Sequence, residues 1–262
     1  MPLISLTTDF GGLYPAAMKA VILGINPDVR IVDITHSIRR AGIREGAFAL
    51  YSLVRYFPQG TVHIGVVDPG VGTSRRALAV KAGSTGKKQF FVCPDNGLLI
   101  PAARRLGEME VYEITNSELM LKSGVSATFH GRDIFAPVGA YLSKGIPIET
   151  VGPRISNFVD LDFGNFGIDG PFLIGEVIFA DSFGNVITNI PEDTILKFSS
   201  FGSQVEVNGR RVPFVQTYAF VRQEEPLILV GSHGFLEIAV NKGNASLQFG
   251  LKSGDQVVIK IM

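Results

Sequence analysis

Short β-branched runs alternate with stretches of helical spacing through the first half of this chain. Leu3 to Thr7 and Val29 to Ile34 predict strands, and between them Met18, Val21, Ile22 and Ile25 recur at helical spacing over Ala16 to Ile25. Ala47, Leu50, Tyr51, Val54 and Phe57 mark one helical face over Gly42 to Phe57. Thr61 to Val67 predicts a strand that stops at Asp68-Pro69-Gly70. Ala77 to Lys81 and Gln89 to Cys93 predict a strand pair around a Gly-Ser-Thr-Gly turn. Asn96 to Arg105 and Ile134 to Leu142 complete the helical candidates. This strand–helix–strand order predicts an α/β sheet, parallel at least in part, with functional residues past the strands' carboxyl ends.

Helical spacing stops near Ser156. Residues 156–170 are rich in Asn, Asp and Gly and read as a linker or an ordered connecting loop. Beyond them Phe172 to Phe179, Val186 to Ile190, Gln204 to Val207, Leu227 to Val230, Phe235 to Val240 and Gln256 to Ile261 predict short strands. Asn208-Gly209 and Ser253-Gly254-Asp255 mark turns between them. The expected architecture is an α/β N-terminal domain with a partly parallel sheet over 1–155. A smaller all-β barrel-like C-terminal domain follows over 171–262.

Composition then removes whole classes of function. The 262 residues carry 24 basic and 24 acidic side chains, without the basic excess of a nucleic-acid or anionic-membrane binder. At 46% hydrophobic and 18% charged residues, chain-wide disorder is excluded. No apolar run reaches the ~18 residues of a membrane span, and no signal-peptide pattern opens the sequence. A cytoplasmic protein is the expectation. Cys93 is the one cysteine, so neither an internal disulfide nor a thiolate metal cage is available. Its apolar run Phe90-Phe91-Val92-Cys93 favours a buried, inert thiol over a catalytic one.

Four polar clusters interrupt the apolar strands: Thr7 to Gly12, Val67 to Arg75, Phe129 to Asp133, and Asp181 to Asn185. Each has a plain structural explanation. Asp9 and Asp133 suit helix N-caps as well as function, Asp68-Pro69-Gly70 suits a turn, and Asp181 to Asn185 suits a hairpin loop. His36 and His63 are read as structural. Together the clusters point to a ligand site, because two of them end predicted parallel strands. Gly11, Gly12, Gly70 and Gly72 form neither G-x-G-x-x-G nor a Walker motif, which weakens dinucleotide and P-loop readings. His130 and Asp133 lack a histidine-rich partner for a metal.

These clusters resemble those of the S-adenosyl-L-methionine (SAM) hydrolases, or SAM hydroxide adenosyltransferases, the relatives of the fluorinase and chlorinase enzymes. The resemblance runs through Thr8-Asp9-Phe10-Gly11, Asp33-Ile34-Thr35-His36, Val67 to Thr73, Pro94-Asp95-Asn96-Gly97, Phe129 to Asp133, Asp181 to Ile190, and Gly234 to Asn241. It implies cleavage of SAM by water at ribose C5′ to give adenosine and methionine, in a homotrimer with sites at subunit interfaces. No cofactor and no metal are expected, SAM being the substrate. By family position Asp68, Arg75 and His130 would handle water, and Asp9 would bind the ribose hydroxyls. Phe129, with Gly131 beside it, Phe183 and Tyr218 would pack against the nucleoside. Asn185, with backbone near Val240 and Lys242, would read adenine. Asp181 and Ser232 would hold the methionine end, with Glu237 a neighbour.

The residues make chemical sense of this assignment. A sulfonium leaves as a neutral thioether and needs no general acid, so the difficulty is the nucleophile, water with a pKa of about 15.7. Arg75 supplies a fixed positive charge that favours hydroxide, while His130 and Asp68 can accept or orient its proton. Arg76 adjoins Arg75, and the family register favours Arg75 as the inward residue. The chain departs from the family in a short apolar Gly12 to Ala16, in His233 after Ser232, and in Phe220 where relatives often carry an acid. Two alternatives remain: a halogenase moving chloride or fluoride to C5′, and a SAM- or adenosine-binding protein without turnover. Halogenases carry tyrosine at the position of Asp68, whose carboxylate would repel a halide.

Overall fold

The structure is a computed structural model describing residues 1–262. The chain divides into two compact units, Met1–Asp162 and Phe163–Met262, and the division falls inside the Asn/Asp/Gly-rich stretch.

In chain order the first unit runs β1 (Leu3–Thr8), α1 (Leu13–Ile25), β2 (Arg30–Thr35), α2 (Ile43–Leu53), β3 (Val62–Val66), β4 (Ala77–Ala82) and β5 (Gln89–Pro94). It continues with α3 (Ile100–Leu106), β6 (Met109–Glu113), α4 (Ala136–Ser143) and β7 (Arg154–Ile155). The seven-stranded sheet has the order β2-β1-β3-β5-β4-β6-β7. Strands β2, β1, β3 and β5 are parallel, while β4 pairs antiparallel with both β5 and β6. Helices cover both faces. Met18 and Ile22 of α1 join Val138, Ala140 and Leu142 of α4 in one core with Ile4, Leu6, Val62 and Ile64. Leu50 of α2 and Ala102 and Ala103 of α3 share the other with Phe91 and Cys93. A Cβ on Gly139 of α4 would come within 2.5 Å of the Ile64 side chain, so glycine is what lets this helix lie close on β3.

The elements of the first unit follow the sequence pattern with shifted ends. The helix expected from Asn96 starts at Ile100, because Asn96 is spent on a turn, donating to the Val67 carbonyl at 2.8 Å. The one expected at Ile134 begins as a π-turn over Gly131–Phe135 before α4. Strand β6 lies in a stretch that the sequence pattern leaves unassigned.

The second unit contains β8 (Gly167–Asp169), β9 (Phe172–Ala180), β10 (Val186–Pro191), α5 (Glu192–Phe198), β11 (Gln204–Val207) and β12 (Arg210–Pro213). It ends with β13 (Pro226–Val230), β14 (Phe235–Val240), α6 (Ala245–Phe249) and β15 (Gln256–Ile261). Its antiparallel sheet runs β12-β11-β15-β9-β10-β14-β13, with β8 paired to β9. Phe214, just past β12, bridges to Ile228 of β13, so the sheet curls into a nearly closed barrel around Leu173, Val177, Leu236 and Ile238. Two short helices, α5 and α6, add to the expected strands. Each buries one residue (Ile195 and Ala245), too little to leave a periodic signal. No helix in either unit is long and apolar enough to cross a membrane.

His63 and Cys93 are structural, as their sequence contexts indicate. Burial raises the Cys93 thiol pKa, so it stays protonated and inert. His63 is wholly buried, with Nδ1 2.6 Å from Ser5 Oγ and Nε2 2.7 Å from Gln89 Oε1. The Gln89 amide nitrogen donates to the Phe57 carbonyl at 2.9 Å, so Oε1 must accept from His63 Nε2–H. That leaves Nδ1 to accept from Ser5, and the ring is held neutral.

Burial pushes its pKa down to about 4, outweighing the Gln89 hydrogen bond. The unfolded chain therefore binds the extra proton first. Stability is full above pH 6.5 and is lost as pH falls from there toward 4. Between pH 7.5 and pH 5 this group should cost about 2 kcal/mol. Urea denaturation at both pH values is expected to show a smaller loss in His63→Gln than in the wild type; equal losses would contradict the assignment.

Candidate active site

The connection from β1 leads outward to β2, and β2 returns across β1 to β3, so the winding reverses between β1 and β3. Crevices at such reversals, beyond the carboxyl ends of the strands, are the usual ligand sites of α/β sheets. Asp9 follows β1 and Asp68 lies two residues past β3. Both line a cavity of about 260 Å³ with Phe10, Tyr14, Val66, Val71, Thr128, Phe129, His130 and Gly131.

Arg75 stands behind two of these lining residues, Asp68 and His130. Its Nε donates to Asp68 Oδ1 and Oδ2 at 2.9 and 3.1 Å, and Nη2 reaches both Asp68 Oδ2 and His130 Nδ1, the latter at 2.8 Å. The guanidinium also lies over the Phe135 ring at 5.2 Å. A guanidinium has no acceptor, so His130 Nδ1 must present its lone pair and the neutral ring carries its proton on Nε2. Burial, then the neighbouring Arg75 charge, hold the imidazole below its ordinary pKa, which agrees with that tautomer. Side-chain exposure is 5% for Asp68 and 12% for Arg75, so the pair is largely removed from water. Arg76 points elsewhere, with Nε and Nη2 on Asp95 Oδ2 at 2.9 and 2.6 Å. The structure thus turns Arg75, and not Arg76, toward Asp68 and His130.

The loop that carries His130 is tied down by Asp133. This fully buried carboxylate accepts the Ser126 backbone N–H at 2.8 Å and Arg132 Nε at 2.6 Å. Burial alone would raise its pKa, but these hydrogen bonds outweigh it and keep the carboxylate ionised below the usual range. Asp133 therefore anchors the loop, and its helix-cap reading gives way to this one. Asp9 accepts the Ala41 N–H at 2.8 Å. Its turn is braced by Thr8, whose hydroxyl donates to the Phe10 carbonyl and pairs with His36 Nδ1, both at 2.8 Å. His36 is in turn 3.1 Å from Asp33, a buttressing role that fits its structural reading.

Phe10 and Tyr14 are cavity residues that the sequence alone did not single out. With Phe129 they form an edge-to-face trio, with ring centroids 5.2 to 5.9 Å apart. Phe10 sits inside the Thr8-Asp9-Phe10-Gly11 motif, where an aromatic beside a strand-end carboxylate was an available signal. Tyr14 had none, since only the start of α1 at Leu13 turns it inward.

The second unit has its own cavity, of about 490 Å³, lined by Phe183, Asn185, Tyr218, Val240, Lys242 and Gly243. Asp181 shapes its rim. Oδ1 accepts the backbone N–H groups of Phe183 and Asn185, both at 2.9 Å, and Oδ2 accepts Asn185 Nδ2 at 3.1 Å. Tyr218 Oη donates to Glu237 Oε1 at 2.5 Å. Burial and that carboxylate raise the phenol above its ordinary pKa. Ser232 lines neither cavity. No three His, Cys, Asp or Glu side chains gather in a way that could hold a metal ion.

Residues 4–152 match the family model of the SAM hydroxide adenosyltransferase N-terminal domain, and residues 175–258 match that of its C-terminal domain. The chain belongs to this family. It is 39% identical to the (R)-S-adenosyl-L-methionine hydrolase of Salinispora tropica, over 98% of this chain and 97% of that one. Identity to the (R)-S-adenosyl-L-methionine hydrolase of Thermus thermophilus is also 39%, over 94% and 95%. A fluorinase of Actinoplanes is 29% identical over 98% and 97%. In fold, it is similar to a solved but uncharacterized conserved protein from Thermotoga maritima, with a TM-score of 0.91, 42% identity, and 98% and 99% coverage.

For a SAM hydroxide adenosyltransferase, the placement of the residues singled out in the sequence is orderly. Asp9, Asp68, Phe129, His130 and Gly131 line one cavity with Arg75 behind them, while Phe183, Asn185, Tyr218, Val240 and Lys242 line the other. The Asp68–Arg75 loop meets the His130 loop at Gly72, whose φ is +78° and whose added Cβ would sit 2.2 Å from the Ala127 carbonyl oxygen. Gly72→Ala combines left-handed strain with a backbone clash, so it should cost more than about 1 kcal/mol of stability. It should also spread Arg75 from His130. Urea unfolding and turnover measured on the same preparation check this, and a variant with both unchanged would show that the loops meet differently.

Proposed function

We propose that this protein hydrolyses SAM at ribose C5′ to adenosine and L-methionine. The observation that carries the reading is the Asp68–Arg75–His130 trio, of which Asp68 and His130 line a cavity together with Asp9 and Phe129. The water oxygen forms the new bond to C5′ as the C5′–S bond breaks, and the bonding pair leaves on sulfur as the neutral thioether of methionine. The proton released by water has to go to a base. His130 Nδ1 is occupied by Arg75, so the acceptor is Asp68, whose carboxylate keeps lone pairs beyond those engaged by Arg75. Arg75 makes the neighbourhood favour hydroxide, and His130 holds Arg75 in place. Asp9 takes the ribose hydroxyls and the Phe10–Tyr14–Phe129 trio packs the nucleoside. The reaction needs no cofactor or metal, so chelators should leave it intact.

Phe183 and Tyr218, assigned to packing against the nucleoside, and Asn185, assigned to reading adenine, lie in the other unit. The family resemblance supports a cytoplasmic homotrimer in which the first unit of one subunit meets the second unit of the next. Light scattering should give a trimer, and a monomer with full SAM cleavage would refute the assembly.

Mass spectrometry of products from SAM should show adenosine and methionine. A halo-adenosine at high halide would mean halogenation, and no product would mean a binding protein. Asp68→Ala or Arg75→Ala should lower kcat by roughly 10²–10⁴, the range for a positioned acid–base group. Asp9→Ala should chiefly weaken adenosine binding. Near-wild-type turnover in both Asp68→Ala and Arg75→Ala would place water activation elsewhere.

A further inference from the structure

We propose that His233 is a positioning residue: acting through Glu237, it latches Tyr218 and thereby the exposed wall of the second unit's cavity. The functional consequence rests on the hydrolase reading above, while the latch itself does not.

The wall needs an anchor. Residues 216–220 are all exposed, and their turn is closed only by local main-chain bonds, Phe220 N–H to Thr217 O at 3.2 Å and Val221 N–H to Tyr218 O at 3.4 Å. Its flanks are secured, because Val215 and Val221 join Leu227, Leu229 and Ala239 in a small apolar cluster. The centre is secured by one side-chain hydrogen bond, from the Tyr218 phenol to Glu237 Oε1 on β14 at 2.5 Å. A short bond to a carboxylate is stronger than a neutral one.

Glu237 is buried, and both of its oxygens are accounted for. Oε1 takes the phenol and Oε2 lies 3.3 Å from His233 Nε2. His233 Nδ1 accepts the Phe235 backbone N–H at 3.3 Å, so the ring proton of the neutral tautomer sits on Nε2, facing Glu237. The ring is fixed in that pose. It stacks on Phe235 at 6.1 Å, and a Cβ on Gly231 would come within 2.4 Å of Nε2. Glu237 thus acts on the cavity through Tyr218, and His233 supplies the donor that stops this buried carboxylate from turning. Removing that donor leaves an unsatisfied buried oxygen, whose rearrangement weakens the phenol bond.

Three variants test the latch: His233→Ala, His233→Gln, whose amide nitrogen can replace Nε2, and Tyr218→Phe. Amide hydrogen exchange over residues 216–221 should quicken in His233→Ala and Tyr218→Phe and stay near wild type in His233→Gln. KM for SAM and Kd for adenosine should rise about tenfold in His233→Ala, the scale of one hydrogen bond to a charged group. Turnover at saturation should change by less than about twofold, and His233→Gln should restore affinity. The double variant His233→Ala/Tyr218→Phe should bind no worse than Tyr218→Phe alone, because the two act in series. Unchanged exchange over 216–221 in His233→Ala, additive losses in the double variant, or a fall in kcat at unchanged KM would each overturn the latch. The expected exchange pattern in a protein that cleaves no SAM would leave the latch standing and remove the hydrolase reading instead.

Discussion

The bond from Arg75 to Asp68, continued to His130, is the constraint around which the first unit's cavity is built. It joins two loops that are distant in sequence and share no sheet register. With Asp68 and Arg75 mostly withdrawn from water, neither charge is tolerable without the other: removing one partner of such a pair typically costs about 3–5 kcal/mol. The same geometry assigns chemical roles. A guanidinium can only donate, so His130 faces it with a lone pair, and the base left within this trio is the Asp68 carboxylate.

The fold puts this bond where a ligand can reach it. Reversal of the winding between β1 and β3 opens a crevice at their carboxyl ends, and Asp9 and Asp68 are the first acids past those ends. The surrounding supports are themselves polar and buried. Asp133 ties the His130 loop, and Thr8 with His36 braces the Asp9 turn. The second unit solves a parallel problem by other means. Its curled antiparallel sheet offers a cavity whose rim is held by Asp181 and whose exposed wall is held by Tyr218 on Glu237. In both units a carboxylate beside a cavity accepts hydrogen bonds that hold a loop or wall.

Most of the longer strands, the two-part organisation, the inert Cys93 and the polar clusters at strand ends were legible in the sequence, because burial imposes periods of two and 3.6 residues that local reading detects, whereas β6, β7, β8 and β12 were not. The family motifs added Asp68, Arg75 and His130 as a group. Helix starts near Asn96 and Ile134, the short α5 and α6, and the inward turn of Tyr14 were not legible. The first of these turns on one side-chain hydrogen bond, α5 and α6 each bury a single residue, and the others follow from where a helix begins rather than from a repeated pattern.

What the sequence by itself determined, then, is which segments bury a face and which residue types stand where the strands end. Only the tertiary structure decided that Arg75 rather than its neighbour meets Asp68, that His130 is a neutral acceptor toward Arg75, and that Asp133, Asp181 and Glu237 hold loops. The reason is physical. Hydrophobic burial is a sum over many positions and survives as a pattern along the chain, whereas a hydrogen bond joins two particular atoms whose meeting is set by the packing of everything between them.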